Sequence, residues 1–462
     1  MPKIEVKFVS LMPKIEVKHN NIIMEYFERQ IDKILFEWMS DSVHMPLLLR
    51  GARQIGKTSS IRHLGERFQH YVEVDLNEHK ELHALFAGTK SPQEICMELS
   101  YLTNKPIVPG RTLLFIDEIQ ACPDAINKLR YFYEKYPELH VVAAGSLLEF
   151  VLADLPSFGV GRVRSLYMYP FSFEEFLTAT GERLLVDAYR NADSERPLSE
   201  MLHNRISERL KTFMLIGGMP KAVARYAERQ DVRGCQQILN DLVVSYQDDF
   251  KKYRKRIPEE RLTTVLLSVA RQHSGRFVYS NVNDNLSLAQ VKLTLGLLTK
   301  AGLVYPVVHT SANGIPLGAE TNERYQRMAM FDTGILLRML GVDLAEMYMH
   351  GWGELVNKGS LAEVFVATEL IKAASCYEPG RLFCWHRERK DSQAEVDYVI
   401  QRGMDILPIE VKAGTRGGMQ SLRLFMKEKS APYGVRTSME NFAAYENIRV
   451  VPLYAVSNLI VK

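Results

Sequence analysis

Cysteine is scarce in this sequence, and its five copies include no Cys-x-x-Cys pair. The thiols are scattered along the chain at Cys96, Cys122, Cys235, Cys376 and Cys384. This pattern supports neither a zinc site nor a disulfide framework. Unpaired, scattered thiols fit a reducing compartment, so we expect a cytoplasmic protein.

Long apolar runs and a strong charge of one sign are absent as well. No run approaches the roughly 20 apolar residues of a membrane-spanning helix, and the charged start is not typical of a signal peptide, so we expect no membrane partner. The net charge of +3 neither requires nor excludes nucleic acid, because acidic segments can offset a local basic patch. With 462 residues, 46% of them hydrophobic, the chain is expected to form two or three globular domains.

The most specific motif is a glycine-containing loop between an apolar run at residues 47–49 and a helical pattern. Its order Gly-x-x-x-x-Gly-Lys-Thr is that of a phosphate-binding loop, or P-loop. The two glycines permit backbone angles and close approaches that a Cβ would block. Lys57 would reach the β- and γ-phosphates, and the Thr58 hydroxyl would bind Mg²⁺. We predict that ATP contacts Gly51, Ala52, Arg53, Gln54, Ile55, Gly56, Lys57, Thr58 and Ser59.

Short apolar runs alternate with helical patterns up to about residue 170, which indicates a mostly parallel sheet covered on both faces. The runs cover residues 45–49, 71–76, 112–116 and 140–144. Ligands of such sheets lie at the carboxyl ends of the strands. There we predict that Asp117 holds Mg²⁺ through water and that Glu118 polarises the attacking water. Ser146, after the fourth run, is predicted to sense the γ-phosphate.

Arg162 follows a glycine-containing loop and is a candidate for stabilising transition-state charge. It would act in its own site or in that of a neighbouring subunit, and the second case requires an oligomer. The alternative is a surface arginine without this role.

Helical patterns predominate after residue 170. Ser172 and Glu175 have the spacing of a capping box, which predicts that a helix starts there. Further on, residues 258–345 have the order helix, helix, strand of a winged helix-turn-helix. Few of their side chains are basic, so a DNA partner and a protein partner both stay open. The basic run at residues 251–256 is interpreted as a solvated helix face, with a nucleic-acid contact as the alternative.

The last hundred residues contain a second set of candidate catalytic side chains. Glu410 and Lys412 share one face of a strand pattern at residues 407–412. If Asp397 lies on the adjacent strand, the two carboxylates can bind one Mg²⁺, while Lys412 orients a water or steadies a pentavalent phosphate. Glu363 can approach from a helix as a further metal ligand. This arrangement predicts metal-assisted phosphodiester cleavage.

The tetrapeptide Ile-Glu-Val-Lys of that strand is weak evidence by itself, because it also occurs at residues 4–7 and 15–18. Those copies belong to an exact repeat of residues 1–7 at residues 12–18, which is too short for a solenoid unit. We therefore treat residues 1–19 as a duplicated segment outside the fold.

From about residue 20 to residue 460, the chain resembles a prokaryotic ATPase family. Its members join an AAA-type ATPase domain to a C-terminal domain of unknown function that resembles PD-(D/E)xK nucleases. The resemblance rests on the P-loop and on motifs at residues 115–120, 145–146, 161–162, 170–173, 217–220, 395–397 and 409–412. It implies ATP binding, a winged-helix middle and a cytoplasmic setting. Ser59 departs from the second threonine of many relatives, which leaves Thr58 unaffected.

Together these patterns predict an α/β protein with four folded parts. They are an AAA-type ATPase core with a parallel sheet at residues 20–170, a helical lid at 171–257, a winged-helix-like module at 258–345 and a restriction-endonuclease-like α/β domain at 346–462.

Three functions follow from these predictions. The first is a Mg²⁺-dependent ATPase that acts as a nucleotide-controlled switch. The second is an ATP-regulated DNA or RNA nuclease, and the third is a module that binds nucleic acid or protein without cutting. Convergence of Asp397, Glu410 and Lys412 on one metal would separate the second function from the third.

Overall fold

The computed structural model describes residues 26–145, 148–152, 161–250, 257–273, 275–350, 358–388, 394–414 and 418–461. The duplicated segment at residues 1–19, Ser146 and the basic run at residues 251–256 lie outside the described residues. What was expected of them stays a prediction.

Five strands near the start of the chain form a sheet in which every neighbouring pair is parallel. They are β1 (Leu47–Arg50), β2 (His70–Asp75), β3 (Thr112–Asp117), β4 (His140–Ala144) and β5 (Arg164–Tyr167). Their order across the sheet is β2-β3-β4-β1-β5. The prediction of a parallel sheet is confirmed.

Six helices accompany this sheet and bury both of its faces. They are α1 (Gln30–Ser40), α2 (Lys57–Gly65), α3 (His83–Phe86), α4 (Pro92–Thr103), α5 (Pro123–Lys135) and α6 (Leu148–Leu152). Alternate residues of β3 enter two different cores, because successive side chains of a strand point to opposite faces. Leu114 and Ile116 belong to a core with α4 and α5, whereas Leu113 and Phe115 belong to one with α1 and α2.

A run of five helices follows: α7 (Phe173–Ala179), α8 (Arg183–Arg190), α9 (Glu200–Ile216), α10 (Pro220–Arg229) and α11 (Val232–Phe250). The predicted capping box is present at the start of α7. The Ser172 hydroxyl accepts the Glu175 N–H at 3.2 Å, and a Glu175 carboxylate oxygen accepts the Ser172 N–H at 2.8 Å. This exchange fixes where the helical part begins.

The next part has the predicted order of two helices and a hairpin. Its elements are α12 (Glu259–Arg271), α13 (Leu288–Lys300), β6 (Val304–Thr310), β7 (Thr321–Met330), α14 (Thr333–Met339) and α15 (Leu344–His350). Strands β6 and β7 are antiparallel.

The C-terminal elements are α16 (Lys358–Ala373), β8 (Leu382–His386), β9 (Glu395–Arg402), β10 (Asp405–Val411), α17 (Gln420–Lys429), β11 (Gly434–Ser438), β12 (Ala443–Tyr445), β13 (Ile448–Pro452) and α18 (Asn458–Val461). These strands and the hairpin make one eight-stranded sheet, ordered β12-β13-β11-β10-β9-β8-β6-β7. Its continuity depends on the parallel pairing of β6 with β8. The domain boundary predicted between residues 345 and 346 therefore separates two segments that contribute strands to the same sheet.

Helix α16 joins the C-terminal part to the first sheet and to α7. The Glu369 carboxylate accepts the Phe173 N–H at 3.1 Å, and the Lys372 ammonium donates to Phe171 O at 2.9 Å. In addition, Tyr167 N donates to Cys376 O at 2.7 Å. The segment at residues 167–173 is thus in direct contact with the segment at residues 369–376.

Among the described residues, no helix combines the length and the apolar character that crossing a bilayer requires.

Candidate nucleotide site and C-terminal carboxylate cluster

The P-loop connects the end of β1 to the start of α2, and its two glycines are conformationally required. Gly51 has φ +137° and Gly56 has φ +98°, angles that side chains rarely adopt. A Cβ on Gly51 would also lie 2.2 Å from Met168 O. Because α2 begins at Lys57, the N–H groups of the loop lie at the N-terminus of that helix, which is the positive end of its dipole.

Lys57 is buried and lies over its own loop. Its Nζ donates to Gly51 O at 2.9 Å and to Ala52 O at 2.7 Å. Burial lowers the pKa of this ammonium to about 8, although the nearby carboxylates of Glu118 and Asp117 act in the opposite direction. The lysine therefore carries its charge at neutral pH in a place that favours an anionic partner.

Two oxygens suited to Mg²⁺ meet at the end of β3. The Thr58 hydroxyl donates to one oxygen of Asp117 at 2.7 Å, while the other oxygen accepts the Glu118 N–H at 2.9 Å. Burial raises the pKa of Asp117, because a buried carboxylate loses the hydration that stabilises its charge. A hydroxyl and a carboxylate are ligands that Mg²⁺ accepts, so this pair fits the ion that the P-loop implies.

Glu118 directly follows the strand, in a left-handed conformation with φ +47°. The Gln120 side-chain amide donates to the Glu118 carboxylate and so holds its orientation. A Cβ on Gly145 would lie 2.0 Å from the Gln120 carbonyl oxygen, so the glycine makes room for this amide. The carboxylate is half-buried at the end of β3, next to Thr58 and Asp117.

The remaining loop residues face other parts of the chain. Arg53 forms an ion pair with Asp249 of α11, and Gln54 lies 3.3 Å from the Ser245 hydroxyl of the same helix. Ala52 and Ile55 are buried, whereas Ser59 is exposed. Two side chains of α11 thus touch a loop that lies almost 200 residues earlier in the chain.

Three residues at the loop were missed by the sequence reasoning. Arg29 donates to Ile55 O at 3.0 Å and pairs with Glu175 at 3.0 Å, which ties the P-loop to α7. Tyr246 donates its hydroxyl to Arg53 O at 2.8 Å. Nothing in the neighbouring sequence marked Arg29, Tyr246 or Asp249 as a contact of the loop.

Arg162 lies away from the P-loop of its own chain. It precedes β5, which runs parallel to β1. Arg164 at the start of β5 pairs with Leu47 at the start of β1, whereas the P-loop follows the C-terminal end of β1. The guanidinium pairs with Glu134 near the end of α5. A role in its own site is thus not supported by this placement, and a role in a neighbour's site stays a prediction.

The predicted C-terminal residues share one region, but an unforeseen arginine lies among them. Arg327 of β7 places Nη1 3.0 Å from Glu363 and 3.2 Å from Asp397. The second oxygen of Asp397 accepts the Val411 N–H at 2.8 Å. Nothing near Arg327 in the sequence indicates this role, because its partners lie 36 and 70 residues further on.

Glu410 and Lys412 form the other half of the cluster. The Lys412 ammonium donates to Glu410 Oε1 at 2.6 Å, and the buried Glu410 Oε2 has no hydrogen-bond partner among the described residues. Burial, followed by the charge of Asp397, raises the pKa values of Glu363 and Glu410 to about 7. Burial by itself lowers the pKa of the Lys412 ammonium. The hydrogen bond to Glu410 and the charges of Glu410, Asp397 and Glu363 outweigh burial and raise that pKa.

A guanidinium nitrogen lies between two of these carboxylates, Glu363 and Asp397. Within the described parts of the chain, one group of three side chains offers metal-ligating atoms within 4.8 Å of one another, namely His309, His386 and Glu388. Glu363, Asp397 and Glu410 do not form such a group. In the His309 group, His309 Nδ1 faces the His386 N–H at 3.3 Å and Nε2 faces Glu388 at 3.2 Å, so a neutral ring satisfies both contacts by hydrogen bonding.

Comparison with known protein families agrees with the geometry of the first site. Residues 43–177 match the AAA domain family. This part of the chain is thus similar to AAA domains. Residues 207–346 and 358–456 match two families described as domains of unknown function, DUF8612 and DUF4143. A search of the curated proteins finds no match.

Two solved structures are distantly similar to this chain. A Walker-type ATPase of Pyrococcus abyssi is 16% identical, with 69% of this chain and 96% of that chain covered and a TM-score of 0.44. The Orc1 protein of Aeropyrum pernix, solved in complex with DNA, is 15% identical, with 69% and 92% covered and a TM-score of 0.27. With TM-scores below 0.5, these likenesses support no inference about the AAA domain's partners.

Proposed function

We propose that this chain is a Mg²⁺-dependent ATPase that acts as a nucleotide-controlled switch. The observation that carries the proposal is the contact of the P-loop with two parts outside the AAA domain. Tyr246 and Asp249 of α11 hold Arg53 from one side. On another side, the turn before β6 is so close that a Cβ on Gly302 would lie 3.3 Å from Ala52 N. A loop that moves on binding phosphate would shift both contacts.

The chemistry would be divided among four side chains. Lys57 would exchange its loop carbonyls for phosphate oxygens, which are stronger partners for an ammonium. Thr58 and Asp117 would hold the metal, which when bound neutralises charge on the β- and γ-phosphates. Glu118, held by its neighbouring amide, would accept the proton of the attacking water.

The contacts of α11 also supply a route to the large sheet. The rings of Tyr246 and Phe331 meet edge to face, with centroids 5.7 Å apart. Phe331 directly follows β7, the strand that carries Arg327. A displacement of Arg53 would therefore act on α11 and, through this ring pair, on the edge of the eight-stranded sheet. Such a coupling needs a two-state element, and we propose that the hairpin β6–β7 is that element.

We further propose that the C-terminal part is a recognition module. The order α12, α13, β6, β7 supports a winged-helix-like unit, and α16 with β8–β10 supports a nuclease-like fold. The cation already present among the carboxylates favours binding over cleavage. The partner class, DNA or another protein, stays a prediction.

The test combines ATP turnover with amide hydrogen exchange. Lys57→Ala is expected to lose ATP binding, and Glu118→Gln is expected to bind ATP while turnover falls about 10²–10⁴-fold. In Glu118→Gln, ATP with Mg²⁺ should change the exchange of α11 and β7, and it should not do so in Lys57→Ala. Glu138→Gln, an exposed carboxylate beyond the other end of the sheet, serves as the matched control.

Two results would contradict the proposal in different ways. Normal turnover by Glu118→Gln would remove the catalytic role of that carboxylate. Tight ATP binding with unchanged exchange in α11 and β7 would leave an ATPase without a switch.

A further inference from the structure

The C-terminal carboxylates have a guanidinium where a nuclease-like fold would have a metal. Arg327 Nη1 is shared between Glu363 and Asp397, at 3.0 Å and 3.2 Å. A Mg²⁺ bridging the same two oxygens would lie about 2.0–2.1 Å from each of them. Such an ion would overlap the nitrogen, because both would occupy the space between one pair of oxygens.

Arg327 is also fixed from other directions. Its Nη2 donates to the main-chain oxygen of Asp397, and its guanidinium lies 5.4 Å from the centre of the Tyr398 ring. The residue is 8% exposed, although β7 is an edge strand of the sheet shared by both segments. A guanidinium stays charged at any physiological pH, so this cation cannot be removed by titration.

The remaining carboxylate has a cationic partner at one of its two oxygens. Glu410 Oε1 accepts the Lys412 ammonium at 2.6 Å. One buried oxygen, Glu410 Oε2, is left over in the cluster, and a metal ion needs several ligands. With Arg327 and Lys412 against three acidic side chains, the local charge is one negative unit at most, which is too little to draw in a dication past a guanidinium.

We propose that Arg327 is the resident cation of the C-terminal carboxylate cluster and that it excludes divalent metal from it. The cluster then fastens the hairpin β6–β7 to α16 and β9 and takes no part in phosphodiester cleavage. This inference concerns a site separate from the P-loop, and it holds whether or not the chain hydrolyses ATP.

The test is Mn²⁺ binding to the full chain without nucleotide, measured from the electron paramagnetic resonance signal of the free ion. The parent and Glu363→Gln should bind the same number of ions, because a P-loop contribution is common to both. Arg327→Met should gain one ion per chain, bound at least about tenfold more tightly than any ion at this cluster in the parent. The gain should vanish in Arg327→Met/Glu363→Gln.

Arg324→Met is the matched control, since it makes the same change at an exposed position of the same strand. It should bind Mn²⁺ like the parent. Arg327→Met should melt at a lower temperature, and Mn²⁺ should restore part of the loss in that variant alone. If Arg327→Met fails to fold, Arg327→Gln replaces it, and the comparison of the parent with Glu363→Gln still shows whether the parent cluster holds metal.

Two outcomes would overturn the proposal. One is loss of a bound ion in Glu363→Gln, which would mean that the parent cluster already holds metal beside Arg327. The other is a folded Arg327→Met that gains no ion, which would mean that the arginine is not what keeps metal out.

Discussion

Arg29 offers the sharpest test of how the P-loop is held in place. Replacing it with methionine keeps a long side chain but removes the partner of the Glu175 carboxylate, and both side chains are at most 8% exposed. The change also leaves Ile55 O and Tyr169 O without the donors that reach them at 3.0 Å and 2.7 Å. Breaking a buried ion pair by removing one partner costs about 3–5 kcal/mol.

The lower end of that range applies, because Glu175 keeps two main-chain donors. They are the N–H groups of Gln30 at 2.7 Å and Ser172 at 2.8 Å. We expect a loss of about 3 kcal/mol, which for a unit of about 150–250 residues lowers the melting temperature by about 6–12 °C. The KM for ATP should rise as well, since Ile55 belongs to the P-loop.

The assay is thermal melting followed by steady-state turnover, with Arg183→Met as the matched control. Arg183 pairs with Glu28 at 3.4 Å, but both side chains are 71% exposed, so its loss should cost less than about 1 kcal/mol. Equal melting temperatures for the two variants would refute the argument that Arg29 braces the loop.

Three further predictions concern other positions. Gly51→Ala should abolish ATP binding, measured by isothermal titration, because the new Cβ would lie 2.2 Å from Met168 O. In the control Gly88→Ala, the new Cβ meets nothing within 4 Å. Melting should show a loss of stability of about 1 kcal/mol for that control, from its backbone angle alone. The raised pKa of Glu410, about 7, means that the folded chain keeps a proton that the unfolded chain has lost. Stability should therefore fall as the pH rises from about 4.5 to 7, and the melting temperature of Glu410→Gln should fall less over that range; equal slopes would contradict the assignment. Arg162→Ala should leave turnover unchanged at high dilution, and a defect that appears only at high protein concentration would indicate action across subunits.

Much of the AAA domain could be predicted from local patterns. The P-loop, the carboxylates after β3 and the strand positions follow from spacings of a few residues, and so does the capping box of Ser172 and Glu175. Such features are set by backbone angles, by the alternation of side chains and by caps that act over one helical turn. A sequence displays them without reference to the rest of the fold.

The C-terminal metal site stays a prediction, because it depends on side chains far apart in sequence. Glu363, Asp397, Glu410 and Lys412 are brought into one region as expected, but the geometry of a metal site is not formed there. The pairing of β6 with β8 brings β7 into the same sheet, and its arginine reaches the carboxylates. No spacing rule links residue 327 to residues 363 and 397.

By itself, therefore, the sequence determined the parallel sheet, the P-loop and the strand-end carboxylates of the ATP site. Only the tertiary structure decided which side chains from distant parts of the chain meet. It placed Arg29 and α11 at the P-loop, Arg162 before the start of β5, away from the P-loop, and Arg327 among the C-terminal acidic side chains. The physical reason is one of range. Local geometry depends on neighbouring residues, whereas the partner of a buried charge depends on the strand pairing and helix packing of the whole chain.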